Sequence, residues 1–114
     1  MQSNIINNDN LIGVPDWGKS KYCFFNDLRV HYRVAGEESN PPIVLIHGFG
    51  ASSDHWRNNA EIFAAEGFRI YGIDLIGFGR SNQNLHDKIQ HLDNQFWSDQ
   101  LTAFLYEVVD VKRK

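Results

Sequence analysis

Two glycine-rich segments hold most of the residues that could do chemistry in this chain. The first reads His-Gly-Phe-Gly-Ala-Ser-Ser over residues 47–53, and the second reads Asp-Leu-Ile-Gly-Phe-Gly-Arg-Ser over residues 74–81. Glycines let a backbone turn sharply and expose its N–H groups, and Ser52 or Ser53 can cap a helix that starts directly afterwards. Because such a turn between a strand and a helix binds negative charge, the sequence predicts an anion site at residues 47–53.

Strands and helices alternate along the chain and would bring both segments to one edge of a sheet. Apolar runs predict a strand over residues 43–46, buried on both faces, and another over 68–73. Amphipathic patterns predict helices over 54–66 and 93–110, with a polar loop over 82–91. Strands that alternate with helices form parallel sheets, and ligands bind where such strands end.

A β-hairpin is predicted before these elements. Residues 22–25 and 28–34 are strand-like and are joined by Asn26-Asp27, two residues that tolerate the positive φ of a tight turn. In the second run apolar residues alternate with Arg29, His31 and Arg33, which predicts one buried and one solvated face. His31 is therefore interpreted as a solvated strand residue without a ligand or catalytic role.

Residues 1–18 lack periodicity and are interpreted as a flexible lead-in that Trp17 could pin to the domain over residues 19–114. At 114 residues, 42% hydrophobic and with net charge −3, the chain fits one small soluble domain. The absence of a basic cluster, apart from residues 112–114, argues against a nucleic-acid surface.

Cysteine and targeting signals exclude several other classes. The single Cys23 rules out an internal disulfide and a thiolate zinc cluster, and its aromatic neighbours favour a packing role over a nucleophilic one. Residues 1–10 contain neither a signal peptide nor a membrane span. We therefore expect a cytoplasmic protein with no metal and no cofactor.

A dinucleotide site is one interpretation of the first segment. Gly48-x-Gly50-x-x-Ser53 nearly matches the Gly-x-Gly-x-x-Gly/Ala fingerprint, and Asp74 ends the next strand, where an acid would meet a ribose. Against it stand the serine at the third position and the hairpin ahead of the strand. An oxyanion hole, in which a backbone N–H of the turn faces a tetrahedral intermediate, is the competing interpretation.

Both segments together resemble the front half of the α/β-hydrolase fold family. The resemblance rests on His47-Gly48-Phe49-Gly50, the helix after it and the run from Gly72 to Ser81, and it covers about residues 20–110. It implies a partial α/β-hydrolase sheet in the α/β class: an N-terminal β-hairpin followed by β-α-β-α, mostly parallel, ending before the nucleophile strand. Residues 17–22 are also similar to a cyanobacterial and plastid-type branch that includes hydrolases removing phytol from chlorophyll.

The family resemblance implies a role for each matching position. The backbone N–H of Phe49 would be one oxyanion donor, Gly48 and Gly50 would allow close approach, and His47 would brace the turn. Four residues of the second segment would shape the floor beside the site: Asp74, Gly77, Gly79 and Ser81. Epoxide hydrolases and haloalkane dehalogenases of this fold usually carry proline where this chain has Gly50, which favours a serine nucleophile and an ester-like small-molecule substrate.

The nucleophile, acid and base that the family uses are not found in this sequence. The family places its serine in Gly-x-Ser-x-Gly on the next strand, and no such motif occurs here. All five histidines precede the place of the family's base. We therefore interpret the chain as an N-terminal part of a serine-type hydrolase that is inactive alone; a non-catalytic interaction module is a further alternative.

The same interpretation has a structural consequence. The strand that the family places after the second helix would pair with the strand over residues 43–46. Without it, that strand is an open edge through which two copies of the chain could associate.

Overall fold

One mixed four-stranded β-sheet organises the computed structural model, which describes residues 17–48, 50–81 and 92–110. The strands and helices are β1 (Lys19–Phe25), β2 (Leu28–Ala35), β3 (Pro42–Ile46), α1 (Ala60–Ala65), β4 (Arg69–Ile73) and α2 (Asn94–Phe104). A 3₁₀ turn at Ser53–Trp56 precedes α1, and a π-helical turn at Leu105–Val109 follows α2.

The strands lie in the order β1-β2-β4-β3. The pairs β1/β2 and β2/β4 are antiparallel, whereas β3/β4 is parallel. The predicted order of hairpin, strand, helix, strand and helix is confirmed. The pairing within the described strands is mixed and not mostly parallel, because β2 of the hairpin inserts beside β4 and makes both of its pairings antiparallel.

The hairpin turn forms as its sequence predicts. Asn26 and Asp27 have φ angles of 51° and 65°, the conformation of a two-residue turn that matches the twist of the strands. Phe25 and Leu28 are direct partners across the turn, which sets the register of β1 and β2.

The predicted helix over residues 54–66 is instead two shorter pieces. The side chain of Ser52 accepts the N–H of Asp54 (3.2 Å) and caps the 3₁₀ turn, while α1 starts only at Ala60. Asn58 and Asn59 separate the two pieces, and asparagine competes with the helical backbone through its own hydrogen bonds.

The predicted helix over residues 93–110 begins with an N-cap and ends in a distorted turn. The side chain of Asp93 accepts the N–H of Phe96 (2.9 Å), and Asp110 adopts a left-handed conformation after the π-helical turn. The predicted loop over residues 82–91 lies outside the described residues. Within the described ranges no helix is long and apolar enough to cross a bilayer.

The sheet has a hydrophobic core on each face. One core joins β2 and β4 to α2 and the π-helical turn through Leu28, Val30, Tyr32, Ile73, Ile76, Phe104 and Val109. The other core joins the opposite face to α1 and to Trp17, which precedes β1, and also contains Ala35, Ala60 and Ile70. Helices on both faces are what an α/β domain requires to bury its sheet.

The prediction of a solvated face on β2 is wrong for two of its three residues. His31 and Arg33 are buried, although Arg29 is exposed. Arg33 pairs with Asp54 (Nη2 to Oδ1, 2.6 Å) and donates to the carbonyl of Trp17 (3.1 Å). The 3₁₀ turn and Trp17 thus cover a face that alternation alone marked as polar.

Trp17 is packed onto the domain, as the sequence suggests. Its indole Nε1–H donates to the carbonyl of Ser53 (2.9 Å), and its ring is buried against the sheet. The remainder of the predicted lead-in, residues 1–16, lies outside the described residues.

The strand β3 is less buried than predicted. Its residues are half-buried, and Ile46 is 42% exposed. The cause is the strand order, because β3 pairs with β4 on one side and is the edge of the described sheet.

Candidate active site

Both glycine turns follow the carboxyl ends of the parallel strands β3 and β4 and meet at one edge of the sheet. His47 joins them, because its Nε2 accepts the backbone N–H of Leu75 (3.0 Å). Its Nδ1 lies 2.8 Å from the carbonyl oxygen of Gly48 and must carry a proton to donate there. His47 is therefore held as the Nδ1–H tautomer, a brace between the first turn and the second.

The first turn has few other contacts. Ala51 N–H donates to the carbonyl of Gly48 (3.1 Å), and Gly50 takes a positive φ of 83°. Among the described residues, a Cβ at Gly48 or Gly50 would meet no atom within 4 Å. Phe49, the predicted oxyanion donor, lies outside the described residues, so its role stays a prediction.

Asp74 is the centre of the second turn. Its side chain is 1% exposed, and its Oδ1 accepts the backbone N–H of Ser53 (2.5 Å). Its Oδ2 accepts from Arg80 N–H (3.0 Å) and from Nδ1 of His31 (2.7 Å). One carboxylate thus ties together β2, the start of the 3₁₀ turn and the second glycine turn.

These hydrogen bonds determine the charge of Asp74. Burial alone would raise the pKa of its carboxyl group. The hydrogen bonds from His31 and from the N–H groups of Arg80 and Ser53 outweigh burial, so the pKa lies below its ordinary value. Asp74 is consequently a carboxylate at neutral pH.

Other buried polar groups complete the second turn. Ser81 Oγ donates to the carbonyl of Asp74 (2.5 Å) and accepts the N–H of His31 (2.9 Å). From α2, Gln100 accepts the N–H of Ile76 (3.0 Å), and the indole of Trp97 donates to the Ile76 carbonyl (2.9 Å). The second turn is therefore a hydrogen-bonded support for the site edge.

Gly79 lets this turn close onto Asp74. It has a positive φ of 55°, and a Cβ there would collide with the Asp74 carboxylate. Gly77 also has a positive φ, of 98°. Both positions favour glycine because residues with a side chain rarely adopt a positive φ.

An open polar cleft of about 390 Å³ lies between the two turns. Its described lining is Gly50, Ala51, Ser52, Asp54, His55, Arg57 and Gly79. Among the described residues no group of three or more His, Cys, Asp or Glu side chains is placed to hold a metal ion.

His31 is a polar residue of this region that sequence reasoning missed. Its Nδ1 bonds Asp74, and its Nε2 lies 2.9 Å from Ser20 Oγ. The backbones of His31 and Asp74 are also bonded, N–H of Asp74 to the carbonyl of His31 (3.0 Å). The two residues are 43 positions apart, and only the insertion of β2 beside β4 brings them together.

Cys23 behaves as its neighbours predict. It is half-buried, and burial, with a smaller contribution from the charge of Glu107, raises the pKa of its thiol to about 11. A thiol that stays protonated is a poor nucleophile, which agrees with a packing role.

Comparison with known proteins identifies the family. The family profile described as "alpha/beta hydrolase fold" matches residues 41–111, more than half of the chain. The chain belongs to the α/β-hydrolase family. The matched residues include both glycine turns and α1 between them, the parts on which the resemblance of the sequence rests.

Individual relatives agree with this assignment. The chain is 36% identical over 81 residues to epoxide hydrolase 4 of Mus musculus, covering 69% of this chain and 22% of that protein. It is 46% identical over 56 residues to a haloalkane dehalogenase of Mycobacterium marinum, covering 49% of this chain and 19% of that protein. The chain thus spans about a fifth of the length of these relatives.

Solved structures share the fold. The structure of a membrane phospholipase A, described as a bacterial virulence factor, superimposes with a TM-score of 0.71 at 28% identity. The superposition covers 79% of this chain and 28% of the phospholipase. Both glycine turns therefore lie in the architecture that the family uses.

Proposed function

We propose that this chain carries one half of the oxyanion hole of a serine-type α/β hydrolase that cleaves ester-type bonds, with Phe49 N–H as the donor. The observation that supports it most is the His47 brace. The 3.0 Å bond from Leu75 N–H to His47 Nε2 fixes the start of the first turn, while the turn itself stays open to the cleft. Preorganised donors of this kind stabilise negative charge as it develops in a transition state.

The glycines of the first turn support the same proposal. Gly50 needs its positive φ, but Gly48 has an ordinary φ and no described atom within 4 Å of an added Cβ. The described residues therefore give no packing or backbone reason for glycine at position 48. Close approach of a substrate oxygen to the backbone does give one.

Alone, the 114-residue chain should not turn over substrate. Its sequence contains no Gly-x-Ser-x-Gly motif, and loss of the serine nucleophile costs on the order of a millionfold in kcat. The oxyanion turn by itself stabilises an intermediate that nothing at this site would generate.

Epoxide or haloalkane hydrolysis is the second candidate. The relatives named above are an epoxide hydrolase and a haloalkane dehalogenase, at 36% and 46% identity. The similarity to a phospholipase structure and the glycine at position 50 favour the ester-type candidate instead. The chain belongs to the α/β-hydrolase family whichever of the two candidate activities is correct.

The environment of Asp74 weighs against dinucleotide binding. A ribose hydroxyl would need a free carboxylate oxygen, but Oδ1 accepts from Ser53 and Oδ2 accepts from His31 and Arg80. The helical segment after the first turn is also a four-residue 3₁₀ turn, too short to direct a strong dipole at a pyrophosphate.

The test is a substrate panel on the protein expressed from its natural gene, with the 114-residue chain assayed in parallel. The panel contains an aryl ester, an aryl epoxide and a 1-bromoalkane. We expect ester hydrolysis by the natural gene product and no turnover by the 114-residue chain. Epoxide opening or bromide release without ester hydrolysis would replace the first candidate with the second.

Phe49 offers a matched pair of variants in the same gene product. Phe49→Pro removes the backbone N–H, and Phe49→Ala removes only the ring. We expect kcat to fall about 100-fold or more for Phe49→Pro, with KM little changed, and far less for Phe49→Ala. Equal losses in the two variants would exclude the N–H as an oxyanion donor.

A further inference from the structure

A second row of polar groups lies outside the oxyanion turn and leads from the exposed surface of the hairpin into the buried interior. Ser20 in β1, His31 in β2 and Asp74 after β4 form a continuous chain of hydrogen bonds. Ser20 Oγ is 2.9 Å from His31 Nε2, and His31 Nδ1 is 2.7 Å from Asp74 Oδ2. Ser20 is exposed, while His31 and Asp74 are buried at 0% and 1% exposure.

The direction of each hydrogen bond follows from Asp74. A buried carboxylate only accepts, so Nδ1 of His31 must carry the proton that it donates to Oδ2. In the neutral ring the lone pair of Nε2 therefore faces Ser20, and the serine hydroxyl donates to it. Arg80 Nη1, 3.4 Å from Ser20 Oγ, donates to the same oxygen and leaves the hydroxyl proton for His31.

We propose that Ser20 is a histidine-activated hydroxyl and the site of covalent modification by acyl and phosphonyl donors that carry a good leaving group. Serine, imidazole and carboxylate in this order are the arrangement that activates a serine for nucleophilic attack. Ser20 and His31 take part directly in the reaction, and Asp74 is a positioning residue that fixes the tautomer.

An alkyl fluorophosphonate is one reagent of this kind. Ser20 Oγ attacks phosphorus, a P–O bond forms and the P–F bond breaks, and fluoride leaves with its electron pair. The hydroxyl proton passes to His31 Nε2, and the imidazolium that forms is paired with the Asp74 carboxylate. The product is a phosphonyl ester of Ser20, formed once per chain, with no redox change and no cofactor.

The proposal is independent of the oxyanion turn. Modification of Ser20 needs neither Phe49 nor a residue outside the chain. It happens once per chain, so it can occur in a protein that does not turn over substrate. Modification of Ser20 without ester turnover supports this proposal and agrees with the proposed inactivity. Turnover that Ser20→Ala abolishes would support the Ser20 proposal and contradict only the inactivity.

The test measures where and how fast an alkyl fluorophosphonate labels the 114-residue chain. Peptide mapping by mass spectrometry should find Ser20 labelled about 100-fold faster than Ser39, an exposed serine of the loop before β3. Ser20→Ala should remove the label. Labelling of Ser39 at the rate of Ser20, or a label that survives Ser20→Ala, would overturn the proposal.

Two further measurements test whether Ser20 reacts fast because His31 activates it or only because it is exposed. His31→Gln, with folding checked by circular dichroism, should slow labelling of Ser20 to the rate of Ser39; an unchanged rate in a folded variant contradicts the role of His31. If that variant does not fold, Ser20→Cys and Ser39→Cys, each combined with Cys23→Ser, keep His31 in place. Iodoacetamide should then react about tenfold faster at position 20, and equal rates would overturn the proposal.

Discussion

The two glycine turns share the triplet Gly-Phe-Gly and the same edge of the sheet, but the rest of the protein anchors them very differently. In the second turn, Gln100 of α2 accepts the N–H of Ile76, and Ser81 Oγ accepts the N–H of His31 in β2. Asp74 accepts three further hydrogen bonds. In the first turn, over residues 48–51, the described contacts include no side-chain bond to another element; His47 before it accepts the N–H of Leu75, and Ser53 after it donates its N–H to Asp74.

This difference is the reason we propose the first turn, and not the second, as the site of chemistry. A turn whose donors and acceptors are largely paired within the protein supports its neighbours and offers little to a ligand. A turn held only at its two ends keeps the backbone groups between them free for a substrate, and the polar cleft opens at that point. Similar local sequence therefore yields a support in one place and a candidate site in the other.

The largest expected effect comes from removing the centre of the second turn. Asp74→Ala leaves the N–H groups of Ser53 and Arg80 and the ring of His31 without their acceptor in a buried site. We expect a loss of about 3 kcal/mol or more in the free energy of unfolding, measured by urea denaturation.

The control for that variant is Asp99→Asn on the exposed side of α2. The Asp99 carboxylate accepts only an exposed bond from Gln95 (2.9 Å) in the described contacts, so its loss should cost a few tenths of a kcal/mol. Similar losses for Asp74→Ala and Asp99→Asn would mean that the second turn is no better anchored than the surface.

Acid should weaken the second turn in a defined pH range. The pKa of Asp74 is lowered on folding from an ordinary value of 3.8, so its stabilising contribution is fully present above pH 3.8. The contribution is lost as pH falls below that value through the folded pKa. We expect the free energy of unfolding to fall in this range, by less than in Asp74→Ala, since a neutral carboxyl still accepts hydrogen bonds.

Asp74→Asn provides the control for the acid titration. The amide has almost the same shape and does not titrate, so the unfolding profile of that variant should be flatter below pH 3.8. Equally steep profiles in the two proteins would show that another group carries the acid dependence.

Alanine substitutions at Gly50 and Gly79 separate the cost of backbone strain from the cost of a steric clash. Gly50 and Gly79 both have positive φ, so alanine at either position costs about 1 kcal/mol in backbone strain. At Gly79 the new Cβ also collides with the Asp74 carboxylate, whereas at Gly50 it meets no described atom. We expect Gly79→Ala to lose about 2 kcal/mol or more in thermal unfolding, and Gly50→Ala about 1; a reversed order would contradict the difference between the turns.

His47→Phe removes the brace while keeping the ring volume. Leu75 N–H loses its acceptor, which should cost about 1 kcal/mol. The sharper readout is amide hydrogen exchange, which should speed up in residues 48–51 more than in residues 77–81. The exposed His55→Gln is the control, and equal acceleration in both turns would argue against a specific brace.

Local sequence signals predicted the elements that depend on neighbouring residues. The Asn26-Asp27 turn and the serine cap both act within a few positions of their own place in the chain. Apolar runs likewise predicted β3 and β4, and the paired motifs indicated the family.

The parts that sequence reasoning missed depend on distant partners. Alternation along β2 marked His31 and Arg33 as solvated, but Asp74, Asp54 and Trp17 meet them only after folding. Buried polar residues of this kind are indistinguishable from surface ones until the covering elements are known. The row from Ser20 to Asp74 was hidden for the same reason.

The smallest expected effect concerns the edge strand that leads into the first turn. One side of β3 is unpaired in the described sheet, and Ile46, just before the turn, is 42% exposed. An open edge is a template for a second strand, so we expect weak, concentration-dependent association of the 114-residue chain in sedimentation velocity. Ile46→Lys should shift the chain toward monomer because it charges the edge.

Ile62→Lys is the matched control, since Ile62 is 61% exposed on α1 and lies on no strand edge. It removes a similar apolar side chain without charging β3, and association should persist. A wild-type chain that is monomeric at every concentration, or equal effects of the two lysines, would contradict edge pairing. Association through β3 should also slow amide exchange in residues 48–51, because it would give the first turn a support that a single chain supplies only to the second.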